Sequence, residues 1–186
     1  PRRARTELSA DARSVPLTLS AGFMPVSLHS GPVSQALQEV RSRMATAARA
    51  AGRDPAELTL LAVSKTFPSG VIREAYGAGL RSFGENYAQE GAAKRAELAD
   101  LVDLRLVLVG PLQSNKARLA AANFDAVESI DRVKIAERLA ASRPVDRPPL
   151  EVLVQVNISG EATKTGCAPP DAVMLALAVS RLPRLR

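Results

Sequence analysis

Residues 58–79, LTLLAVSKTFPSGVIREAYGAG, decide how the rest of the chain is read. LTLLAVSK is an apolar run of strand length that ends on Lys65 and breaks at Pro68. Pro68 opens a helical pattern that Gly77 and Gly79 close, so the stretch reads as one strand–loop–helix unit. A dinucleotide-binding sheet would carry G-x-G-x-x-G in that loop, and SKTFPSG does not supply it. One oddity stays open: burying an ammonium group is costly, yet an apolar strand ends on one.

The same alternation extends in both directions. Upstream, Val33, Leu37, Val40, Met44, Ala47, Ala48 and Ala51 recur at helical spacing, and Gly52 stops them. Downstream, LRSFGEN, LRLVLVG and DAVESI read as strands, and LEVLVQVNI reads as the longest of the set. Helical patterns run to Asp100 and over SNKARLAAAN, DRVKIAERLAASR and DAVMLALAVSRL, with Asp131 as expected N-cap of the third. Near-continuously apolar strands alternating with helices call for a parallel sheet covered by helices. Without a dinucleotide fingerprint, the favoured class is α/β of TIM-type (β/α) barrel, incomplete, with about five of the eight units that fill ~250 residues. The expected domain spans residues 33–186. Residues 1–32 are expected to be a disordered extension, with 1–23 as its tail or an over-extended gene start; the short, Pro- and Ser-interrupted centre of RSVPLTLSAGFM argues against a signal peptide.

Composition removes several function classes. The 186 residues are 46% hydrophobic and 24% charged, ordinary for a globular domain, and no run reaches the ~18 residues of a membrane span. A net charge of +6 raises nucleic acid, but the arginines are spread over the chain beside acids, and part of the excess falls in the tail PRRARTELSADAR. With 3% aromatics and no Trp, base stacking has no platform, so nucleic acid is not expected as a partner. One cysteine, Cys167, forbids an internal disulfide and fits a reducing cytoplasm. One histidine, His29, lies near the tail, so neither a zinc site nor a His-dependent triad is expected.

Chemistry in a barrel sits at the C-terminal strand ends. Those ends carry Lys65; Glu85 and Asn86; Gln113, Ser114 and Asn115; Ser129; and Asn157 and Ser159. Each alone reads equally well as a loop or cap residue, but all five ends agree. Alternation puts Leu61, Val63 and Lys65 on one face and Leu60, Ala62 and Ser64 on the other. If Leu61 and Val63 fill the barrel, Lys65 points into its mouth, where desolvation would lower its pKa and free the amine to attack an aldehyde. The competing reading is a lysine that snorkels at the rim. GPLQSNKARL lacks the second glycine of a Walker A loop. Tyr76 and Tyr87 read as helix-face packing, and Cys167 as an incidental small residue.

LLAVSKT, FGENYAQE, GPLQSNK, SIDR, VQVNISGEATKTG and the closing LPRLR, taken in order, resemble the YggS/PROSC family of pyridoxal 5'-phosphate homeostasis proteins. The resemblance covers residues 33–186 and implies a barrel like the N-terminal domain of alanine racemase. It implies pyridoxal 5'-phosphate as cofactor, held as a Schiff base on Lys65 of S-K-T, with Asn86 facing the pocket and Lys164 linked to occupancy. Ser114 and Asn157 complete the expected cofactor-binding set. It further implies a carrier without established turnover, with PLP-dependent apo-enzymes as recipients. The alternative is an amino-acid racemase, which needs a second acid/base on the opposite cofactor face that nothing in the chain offers. Two departures stand out. LVLVG replaces a family Trp-His-Phe segment, and the family's Ser-, Gly- and Arg-containing phosphate-binding segment would follow Arg186. The 186-residue chain is therefore expected to bind the cofactor weakly.

Overall fold

The structure is a computed structural model that describes residues 31–186, so the expected extension lies outside the described residues except at its end. There Gly31 caps α1 (Pro32–Ala50), whose first position is a proline with its φ already helical. Gly52 then stops the helix at φ +68°, a conformation that carries no Cβ penalty in glycine. Five strands follow: β1 (Leu61–Val63), β2 (Ser82–Glu85), β3 (Arg105–Leu108), β4 (Ala126–Ile130) and β5 (Glu151–Val154). Between and after them lie α2 (Ser69–Gly77), α3 (Ala88–Glu97), α4 (Ala117–Asn123), α5 (Val133–Ser142) and α6 (Ala172–Ser180).

All strand pairs are parallel, in the order β1-β2-β3-β4-β5. Spatial order follows chain order with no reversal, so there is no switch point of the doubly wound kind. The arrangement is that of a partial (β/α) barrel, as the alternation implied. Its helix-facing layer holds Phe83, Leu106, Leu108, Val127, Ile130 and Leu150, packed against Ile72, Ala120, Phe124, Ile135 and Leu139. Full burial of each large side chain there contributes roughly 1.5–3 kcal/mol before entropy is counted. The opposite, concave face carries Val63, Gly84, Arg105, Val107, Glu151 and Leu153. Val63 remains 49% exposed and Leu153 58% exposed.

Two local features correct the sequence reading. β5 spans four residues, and β4, with five, is longer. The cause is at Gln155: its N–H bonds to Ile130, after which Val156 bridges to Cys167 in the following loop. Asp131 does not cap α5: Arg132 occupies the N-cap position, and Asp131 pairs with Arg132 instead. A register irregularity between Val127 and Ile130 explains why these residues, three apart, both face the helices. At the chain end, Leu150 and Val152 donate to Arg184 and Arg186, and Leu185 bridges parallel to Leu150. The chain end thus lies along the free edge of β5.

Candidate functional site

β1 places the sharpest candidate. Ser64 and Lys65 follow its last residue, and their side chains part company. Ser64 is buried and its hydroxyl donates to Glu85 at 2.6 Å, in the helix layer. Lys65 lies in the turn that follows, is exposed, and its amine has no hydrogen-bond or ion-pair partner among the described residues. Residues 31–186 therefore do not supply the burial that the sequence reading had asked for at Lys65. They hold its backbone firmly, however. Thr66 has φ +66°, unusual for a β-branched residue, and its N–H donates to Glu90 at 2.6 Å.

Beneath this turn lies a cluster that sequence reasoning missed. Lys94 of α3 is 6% exposed and uses its three N–H groups on the Ser64 carbonyl, Glu85 and Glu90, each at 2.7 Å. Glu85, an expected mouth residue, is fully buried and points into the helix layer, away from the mouth. Its inward turn follows from alternation within β2, which also sends Phe83 toward the helices. The bond to Lys94 holds the Glu90 carboxyl below its ordinary value, and the Thr66 amide adds to the effect. The one signal in the sequence was the i, i+4 spacing of Glu90 and Lys94, which equally suits a solvated helix pair.

The remaining candidates divide. Asn86 follows β2 and lines a cleft of about 390 Å³ with Gln89, Gln113, Lys116, Arg132 and Thr165. Gly110 lets the β3 loop pass close to it, because a Cβ there would sit 2.6 Å from the Asn86 Cα. Lys65, Ser114 and Asn157 do not line that cleft. Ser114 opens a single 3-10 turn (Ser114–Lys116) and its carbonyl accepts from Arg138. Asn157 is engaged in its own loop: its amide donates to Glu161 and Lys164, and its oxygen accepts from Gly160 and Ser159. Lys164 is exposed on that loop. Tyr76 packs as expected, its ring 3.9 Å from the Arg81 guanidinium and its hydroxyl on Asp103, whereas Tyr87 is 61% exposed. Cys167 is free and packs against the core beside its bridge to Val156. No helix among the described residues is long and apolar enough to cross a membrane.

A parallel (β/α) barrel segment, with an exposed lysine after its first strand that has no partner among the described residues, fits one class: a barrel of alanine racemase N-terminal type. The model of that family, "Alanine racemase, N-terminal domain", matches residues 36–186. Within it, the chain belongs to the pyridoxal phosphate homeostasis protein family. It is 56% identical over 154 residues to the pyridoxal phosphate homeostasis protein of Pseudomonas aeruginosa, covering 83% of this chain and 66% of that protein. Identity to the Escherichia coli K12 homeostasis protein is 49% over 156 residues, covering 83% and 67%. The chain thus spans about two thirds of the length of the curated relatives it matches. Among solved structures, PipY of Synechococcus elongatus without PLP has a TM-score of 0.72 at 39% identity, covering 83% of this chain and 67% of that one. The PLP-bound form of PipY has a TM-score of 0.68 at 38% identity, covering 83% and 66%. Alanine racemase of Corynebacterium glutamicum, at 16% identity and a TM-score of 0.55, covers 82% of this chain and 41% of that one and shares the fold alone.

Proposed function

We propose that this chain carries the amine half of a pyridoxal 5'-phosphate site, in a protein that holds the cofactor on Lys65 and releases it to PLP-dependent apo-enzymes of the cytoplasm. The carrying observation is Lys65 itself: an exposed amine, free of ion pairs among the described residues, on a backbone held at both flanks. The PLP-bound PipY, whose sequence is 38% identical, supports the same cofactor here. The donor set fits the group in part. Pyridoxal 5'-phosphate brings an aldehyde that an amine can capture. Lys65 offers that amine, Gly84 leaves the floor between Val63 and Val109 low, and Asn86 stands at the next strand end. A phosphate dianion needs several fixed donors. Lys94, the buried cation under the turn, has every N–H already engaged and offers none to a phosphate. The pyridoxal phosphate homeostasis proteins to which the chain is 56% and 49% identical support a carrier rather than a racemase.

The test is borohydride trapping of added pyridoxal 5'-phosphate, with peptide mapping, on this chain and on Lys65→Ala. An adduct mapping to Lys65 and lost in the variant is expected. A wild-type adduct that maps mainly to other lysines would overturn the assignment.

A further inference from the structure

We propose that Lys94, acting through Glu85 and Glu90, is a positioning residue for Lys65, and that this buried cluster is a device for presenting the Lys65 amine. The proposal deepens the carrier reading and rests on it.

Three observations lead there. First, the contacts converge on one place: Lys94 donates to the Ser64 carbonyl, Glu85 accepts from the Ser64 hydroxyl, and Glu90 accepts from the Thr66 amide. The residues on both sides of Lys65 are clamped, while the Lys65 side chain has no hydrogen bond among the described residues. Second, Thr66 sits at φ +66°, which a β-branched residue adopts only when its surroundings impose it. The Phe67 N–H closes the turn on the Ser64 carbonyl at 3.1 Å, which asks for positive φ at Thr66, and the Glu90 carboxylate on the Thr66 N–H holds that turn in place. Third, the cluster is an expensive way to join a helix to a sheet. Well-packed apolar side chains would join them at least as strongly as a buried ion pair does. One Glu85 oxygen, Oε2, is moreover buried without a partner. Such a cluster orders a turn better than it stabilises a core. A reacting amine gains from being held in one orientation, because small misplacements cost binding and rate steeply.

Glu90 is the position to probe, since its side chain is 27% exposed and its removal spares the core. Three proteins are compared: wild type, Glu90→Ala, and Glu90→Ala combined with Thr66→Gly. Two readouts are taken, hydrogen exchange of the residue 66 amide and the yield of trapped Lys65 adduct against pyridoxal 5'-phosphate concentration. With the fold intact by circular dichroism, Glu90→Ala should speed amide exchange and weaken Lys65 adduct formation about tenfold. Adding Thr66→Gly should restore most of that loss, because glycine adopts positive φ without a clamp. Thermal midpoints of all three proteins separate the two causes: a general loss of stability lowers adduct formation in step with the midpoint, whereas lost positioning lowers it, and Thr66→Gly restores it, out of proportion to the midpoint. Adduct formation unchanged in Glu90→Ala, or a loss that Thr66→Gly leaves unrepaired, would overturn the positioning role. Absence of any Lys65 adduct in the wild type is a different result and would overturn the carrier reading beneath it.

Discussion

Single residues show how closely the sheet and helices are fitted. A Cβ on Gly91 of α3 would run into the ring of Phe124, which is fully buried. Gly91→Ala should therefore cost about 1–3 kcal/mol, the usual penalty of overpacking a core. Thermal unfolding would show it as a lower midpoint with the fold retained. Lys94 makes a different case. Lys94→Met leaves Glu85 buried opposite an apolar side chain and should cost about 3–5 kcal/mol. Lys94→Met with Glu85→Leu removes both charges and should recover much of that loss, which denaturant titration of the four-member cycle would measure. The place of Lys65 just after the first strand was legible from sequence, because the apolar run ends on it and breaks at Pro68. Lys94 was not, since a lysine on a helix is ordinary until the strand it packs against is known.

Among the elements, β5 depends on charge. Glu151 lies between Arg105 of β3 and Arg186 at the chain end, near the N-terminal strand ends. The Arg105 hydrogen bond, more than any other influence, holds its carboxyl below the ordinary glutamate value of 4.5. A carboxylate with a depressed folded-state pKa contributes stability above its ordinary value and loses it as pH falls through the depressed one. Acid should therefore weaken the contacts among β3, β5 and the chain end below about pH 4.5, and Glu151→Gln should flatten that part of the stability–pH curve. Acid titration of wild type and variant by circular dichroism checks both. The sequence located all five strands, but it overestimated β5, because nothing local showed that the chain would turn at Gln155 to meet Cys167. The Asp131 cap failed for a similar reason: a neighbouring arginine engaged the carboxylate.

For the whole molecule, the concave face is the consequential surface. Val63 and Leu153 are exposed there at opposite ends of the five-strand sheet, whereas Val107 between them is buried. This chain should bind an apolar-surface dye in its native state, and Leu153→Lys should reduce the signal without lowering helix content. Unchanged fluorescence in the variant would place the exposed apolar surface elsewhere, for example on Val173, Met174 and Leu177 of α6. Apolar periodicity was enough to determine, from sequence alone, the alternation of strands and helices and the parallel sheet. It also placed a lysine at the first strand end. Those properties follow from near neighbours in the chain, since a strand or helix buries the face that its own residues make apolar. Only the tertiary structure decided where each polar strand-end residue goes: Glu85 into the helix layer, Asn86 into a cleft, Asn157 into its own loop. Each destination is set by partners far along the chain, by Lys94 for Glu85 and by the Gly110 loop for Asn86. A side chain's position in sequence gives its face of the strand, but its chemistry depends on what the fold brings against that face.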